Sequence, residues 1–248
     1  MHKRIMGLMV LIILLISTVS LADGSVSAGD KITFGKYPQH MRSDNTPASS
    51  EPIVWQVLAN DGNRVLLLAE QALVGMTYNS KEHFSNDVTW ETSSLRKWLN
   101  GEFLNDAFSA EEQRAIQSTI ISTPDYEDFT GLVVSGGNDT TDKVFLLSSK
   151  EAVQYFATDS LRICSPTDYA VFTGASNRWG FYSDDSHEVA EYVDDVCTWW
   201  LRSPGRIGHF TAYCVHDGSV RSSGRYSGDE GLGVRPAIWV NKSALNGR

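Results

Sequence analysis

Several things on which function is usually built are scarce in this chain. There are only three cysteines in 248 residues, at 164, 197 and 214. None of them stands in a CxxC or Cys/His spacing, so no zinc site can be read. Basic residues are outnumbered, 21 Lys and Arg against 30 Asp and Glu. Nucleic acid and anionic membrane surfaces both need clustered cations, so neither is an expected partner. No nucleophile elbow, phosphate loop or dinucleotide fingerprint occurs. After Val19 no apolar run of membrane-spanning length returns, so nothing beyond the N-terminal segment reads as embedded in a bilayer.

The N-terminal segment is the first positive signal. His2, Lys3 and Arg4 form a basic head, Ile5 to Val19 follow without a charge, and Ser20-Leu21-Ala22 supplies small residues where a signal peptidase cuts. The sequence therefore predicts a signal peptide over 1–22, a mature domain over 23–248 and a secreted or cell-surface location. Retention of the segment as an uncleaved anchor is the other reading, although its run of about 15 apolar residues is short for a spanning helix. Without residues 1–22, which hold two bases and no acid, the charge is −11. An apolar fraction of 42 % is enough for one large core, so a single domain is expected, its body over about 29–241.

Lys31 to Phe34 and Pro52 to Leu58 read as strands. Asn60-Asp61-Gly62 is a tight-turn signal that joins the second of these to Val65–Leu68 as a hairpin. Leu95, Trp98, Leu99 and Phe103 have helical spacing. Ser109 with Glu112, and Ser148 with Glu151, have capping-box spacing. Asp142 to Leu147 reads as a buried strand, Ala212 to Val220 as a hairpin turning at Asp217-Gly218, and Val234 to Val240 as a closing strand. Val189, Tyr192, Val193 and Val196 fit one face of a short helix.

Three groups carry candidate chemistry. Trp199, Trp200 and Arg202, with Arg235, can stack on a sugar ring or planar ligand. Strand alternation would instead put one Trp in the core, with both arginines paired inside the fold. Asp184, Asp185, Glu188 and Glu191 crowd hard oxygen ligands of the kind calcium takes. The same residues also fit a solvated helix face. His187-Glu188-Val189-Ala190-Glu191 falls short of a zinc-protease helix, because Glu191 stands where the second histidine belongs. The cysteines read either as unpaired core residues or as an oxidised pair with one thiol over.

An ordered series of motifs then carries a family resemblance. It runs Phe34-Gly35-Lys36-Tyr37-Pro38, Pro52-Ile53-Val54-Trp55-Gln56-Val57-Leu58, Trp90 to Asn100, Asp142 to Ser148, Pro166 to Ala170, Trp199-Trp200-Leu201-Arg202-Ser203-Pro204-Gly205, Val215-His216-Asp217-Gly218 and Gly233-Val234-Arg235-Pro236-Ala237. It resembles a widespread bacterial domain family of unassigned function, often found in secreted or surface proteins. More distantly it is similar to the C-type-lectin-like fold in its formylglycine-generating-enzyme variant. That resemblance implies an α+β single domain with antiparallel sheets, a few short helices and a loop-rich C-terminal half. It also implies that Lys31 to Phe34 pairs with Val234 to Val240.

Formylglycine-generating relatives use a cysteine pair, and related enzymes a three-histidine iron site. Cys197, Cys214, His187, His209 and His216 do not stand in the matching motifs, so no catalytic residue carries over. A Cys197–Cys214 disulfide is the simpler expectation. The function expected from these readings is an exported, non-catalytic binding domain for carbohydrate, a cell-wall fragment or a surface protein, with calcium the one candidate ion. The alternative is an oxidising or metal-dependent enzyme of the formylglycine-generating type.

Overall fold

A computed structural model describes residues 26–80, 87–176 and 195–245. Its first unit is the expected hairpin. Strand β1 (Lys31–Tyr37) lies antiparallel to β2 (Glu51–Asn60), which turns into β3 (Arg64–Ala69). The turn depends on Gly62, whose φ of +96° is open to glycine at no steric cost. Asn60 Oδ1 accepts from the Gly62 amide at 2.8 Å and closes the turn. Strand β4 (Val74–Gly75) follows.

Helix α1 (Ser94–Trp98) is capped by Ser93, whose hydroxyl accepts from the Arg96 amide. It runs through a π-helical turn over Leu99–Phe103 into α2 (Leu104–Ala107). Leu95, Leu99 and Phe103, read as one helical face, are all buried. Helix α3 (Ala110–Ala115) opens on the Ser109/Glu112 capping box. Two small ribbons come next, built from β5 (Thr119–Ile121), β6 (Tyr126–Glu127), β7 (Val133–Val134) and β8 (Thr140–Asp142).

Strand β9 (Val144–Phe145) leads to α4 (Ser149–Tyr155), opened by the Ser148/Glu151 box, and then to α5 (Asp168–Phe172). The chain ends in β10 (Trp199–Pro204), β11 (Phe210–Cys214), β12 (Val220–Tyr226), β13 (Gly233–Val234) and β14 (Ala237–Asn241).

These strands make two five-stranded sheets, ordered β1-β2-β3-β14-β9 and β12-β11-β10-β13-β4. Pairing is antiparallel except where β10 meets β13. The molecule is thus mixed α and β, mostly antiparallel, with few and short helices. Two expectations need correcting. Val234 to Val240 is not one strand. Gly233–Val234 pairs in the second sheet and Ala237–Asn241 in the first, and the chain changes sheets at Arg235-Pro236. Pro236 has no amide to extend a ladder, yet its carbonyl still accepts from Ala69 at 2.9 Å. The terminal strands β1 and β14 share a sheet but are not neighbours, because the β2–β3 hairpin lies between them.

The core is continuous across both sheets and the α1–α2 helices. One polar knot lies in it. The Asp142 carboxylate, almost wholly buried, accepts from Trp90 Nε1 at 2.8 Å, Arg96 Nε at 2.7 Å and Thr140 Oγ1 at 2.6 Å. An acid taken from water needs such partners, and these tie the helices to the ribbon of β5 and β8. Among the described residues, no helix is long and apolar enough to cross a membrane. The calcium candidates Asp184, Asp185, Glu188 and Glu191, and the segment 1–22, lie outside the described residues.

Candidate functional site

The sharpest sequence motif turns out to be interior. All six residues of β10 are buried, because the strand has β11 on one side and β13 on the other and is covered on both faces. Alternation does not expose either tryptophan, and both are 0 % accessible. Trp200 Nε1 donates to Met76 O at 2.8 Å and Trp199 Nε1 to Arg162 O at 3.2 Å. The two rings therefore have no open face on which a ligand could stack.

The arginines are interior too. Arg202, 3 % exposed, donates to the carbonyls of Leu146 at 2.7 Å and Ser122 at 2.9 Å and pairs with Glu151. Arg235, 2 % exposed, donates through Nε to Ala69 O at 2.7 Å. Its guanidinium lies 5.2 Å from the Trp199 ring centre and 5.7 Å from that of Phe156. The reading in which both arginines serve the fold is the one this geometry follows.

All three cysteines are buried, and no S–S bond joins any two of them in this structure. Cys214 lies opposite Trp199 in the β10–β11 register, while the Cys197 amide donates to Cys164 O at 2.8 Å. The expected Cys197–Cys214 pairing is not the contact the fold makes. Among the described residues, no group of three His, Cys, Asp or Glu side chains is placed to hold a metal ion.

Two surface features remain. A shallow groove of about 520 Å³ runs between β1 and the helices, lined by Lys36, Asp106, Phe108 and Glu112 among others. Glu112 is already engaged there. One carboxylate oxygen accepts from the Gly35 amide at 3.2 Å and the other from Ser109 at 2.9 Å, which fastens β1 to the start of α3.

The second feature is the β11–β12 hairpin, and it has the texture of a recognition surface. It turns at Gly218, with φ of +82°. Strand β12 is the sheet's outer strand, and its residues are half-buried or exposed throughout. The register sets Phe210 opposite Tyr226, Thr211 opposite Arg225 and Tyr213 opposite Arg221. His209 meets Phe210 and Tyr226 edge-on, with ring centres 5.1 and 5.8 Å apart. Arg225 Nε donates to Asp229 Oδ2 at 2.5 Å. Burial raises the Tyr213 phenol above its ordinary value, and the nearby Arg225 and Arg221 cations work against that rise. The hairpin thus gathers a half-exposed aromatic trio and a pair of arginines on a strongly acidic chain.

Sequence reading found this hairpin and its turn, but of its side chains it weighed only Cys214 for a disulfide and His209 and His216 for a metal, and did not single out Phe210, Arg221, Arg225 or Tyr226. The available signal was the recurrence of aromatics and arginines on both sides of Asp217-Gly218, at Phe210, Tyr213, Arg221, Arg225 and Tyr226. Comparison with curated proteins gives no significant match, and comparison with solved structures gives none either. Residues 62–242, well over half of the chain and all of the β11–β12 hairpin, match the family described as a domain of unknown function, DUF6273, and the chain belongs to that family.

Proposed function

We propose that this protein is an exported, non-catalytic binding domain, and that it engages a carbohydrate or cell-wall fragment through the β11–β12 hairpin. One observation carries the reading, the half-exposed cluster of His209, Phe210 and Tyr226 on a hairpin whose outer strand also contains Arg221 and Arg225. Aromatic rings offer flat apolar faces to the C–H faces of sugars, and arginine forks hold carboxylates bidentately. Carbohydrate with an acidic substituent is the chemistry that suits both. Export is supported by the N-terminal segment, with its basic head, apolar run and small residues at 20 and 22. Mostly antiparallel sheets with few and short helices support a variant of the C-type-lectin-like fold, with terminal strands that share a sheet without touching.

The test is binding of the purified chain to an array of neutral and acidic glycans and muropeptides. His209→Ala and Tyr226→Ala should each weaken binding by tenfold or more with unchanged circular dichroism. Full binding by both variants would remove the hairpin from the site.

A further inference from the structure

We infer that Cys164 and Cys197 form a disulfide in the mature protein, with Cys214 left as the odd thiol. The inference uses the export reading only for the oxidising compartment, and its geometry stands apart from it. Three short segments lie side by side here. Ala72 N donates to Ser165 O at 3.0 Å, Thr167 N to Ala72 O at 3.0 Å, and Cys197 N to Cys164 O at 2.8 Å. A direct backbone hydrogen bond holds the two Cα atoms roughly 5–6 Å apart. A disulfide is made across about 4.4–6.8 Å.

The sulfurs converge as well as the backbones. The two thiols are close enough for each to shift the other's ionisation, and Cys164 Sγ also faces the Ser165 and Glu70 carbonyls at 3.5 and 4.0 Å. On the other side, a Cβ at Gly233 would lie 2.7 Å from Ala72 Cβ and 3.1 Å from Cys197 Sγ, so the Cys197 thiol lies close to the Ala72 segment that pairs with Ser165 and Thr167. Cys214 is differently placed. Trp199 is its cross-strand partner, and among the described residues no backbone hydrogen bond joins Cys214 to Cys197 as one joins Cys197 to Cys164.

Charge favours the same pair. Burial pushes the Cys164 thiol up, but the Cys197 hydrogen bond and the Arg235 cation outweigh it, and the net direction is down. Cys197 moves up, through its hydrogen bond to Cys164 and through burial. Cys164 is thus the readier thiolate. The chemistry balances with an external disulfide of the glutathione type as oxidant. A Cys164 thiolate attacks it, forming a mixed disulfide and releasing one thiol. Cys197, losing its proton, then attacks the Cys164 sulfur of the mixed disulfide, the S–S bond closes, and the second thiol leaves. Two protons and two electrons have passed from the protein. Both sulfurs are buried in the finished core, so the link forms as the chain folds.

The experiment refolds reduced, denatured full chain in a glutathione redox buffer, alkylates remaining thiols and maps peptides. The expected result is a chain lighter by two hydrogens, a crosslink between the peptides of Cys164 and Cys197, and an alkylated Cys214. Three alkylated thiols, or any crosslink through Cys214, would overturn the inference. As a second readout, reductant should lower the Tm of the refolded wild type by roughly 5–15 °C, given the long loop between positions 164 and 197. The double variant Cys164→Ser/Cys197→Ser should show no reductant response, and an equal response from it would also count against the link. The same map is run on protein from an exporting strain. Failure of export would appear separately, as an intact N-terminal segment on cytosolic protein, while the refolding result still decides the pair.

Discussion

β10 and β12 stand two places apart in one sheet, and they use the same kinds of residue in opposite ways. β10 has two tryptophans, an arginine and a serine, and all are sealed in. β12 has a tyrosine, two arginines and two serines, and none of its seven residues is fully buried. The difference comes from position in the sheet, not from composition. A central strand covered on both faces turns its aromatics into core and its arginine into an internal anchor. An outer strand leaves the same chemistry facing solvent. Conspicuous side chains in a sequence therefore mark where packing is demanding as readily as where ligands bind.

The largest expected effects would break this comparison if they failed to appear. Trp200→Ala empties a site with no accessible surface and orphans the Met76 carbonyl. It should cost about 3–5 kcal/mol in denaturant unfolding. Arg202→Ala removes the partner of Glu151 and the donor to Leu146 and Ser122, and roughly 3 kcal/mol should be lost. If either variant kept wild-type stability but lost ligand, β10 would belong to the site after all. A smaller loss, about 1–3 kcal/mol, is expected for Gly233→Ala. Its new methyl would lie 2.7 Å from Ala72 Cβ and 3.1 Å from Cys197 Sγ.

The two capping boxes give a finer version of the same contrast. Both join a serine to a glutamate three residues on. Glu112 fastens an exposed corner, whereas Glu151 also holds buried Arg202. Ser148→Ala should cost about 1–2 kcal/mol and Ser109→Ala about 1 kcal/mol or less. Equal losses, measured by thermal unfolding, would show that the cap contributes nothing to orienting Glu151. On the outer strand's side, His209→Ala should change stability by only about 0.5 kcal/mol, while binding falls.

Local rules were the legible part of the sequence. The β2–β3 turn, the buried face of Leu95, Leu99 and Phe103, and both capping boxes follow from neighbours within four residues. What sequence could not supply was strand order. That Cys164 meets Cys197, and that β13 and β14 lie in different sheets, depends on contacts across 33 residues or more. Trp199 and Trp200 show the same limit. Period-two alternation assumes one solvent face, and β10 has none. The half-exposed aromatics and the arginines of the β11–β12 hairpin escaped notice for a related reason, since an edge position is a property of the whole sheet.

His40 offers the smallest and most specific test, because it is the exposed counterpart of the buried ion pairs. Its Nδ1 lies 2.8 Å from Asp168 Oδ2, and Nε2 lies 3.8 Å from Glu51 Oε1. The Asp168 hydrogen bond, then the Glu51 charge, raise its pKa above the ordinary 6.5. A pKa raised by folding means that the folded state binds the proton more tightly. The stabilisation is therefore complete below 6.5 and fades as pH rises through the higher folded value. The carboxylates of Asp61 and Asp128 are shifted downward by their hydrogen bonds, so their contribution is lost only on acidification. Wild type should lose Tm between pH 6.5 and mildly alkaline pH relative to His40→Gln, and the two curves should run parallel below about pH 6. A difference that instead grew on acidification would mean that His40 is not held as a cation between Asp168 and Glu51.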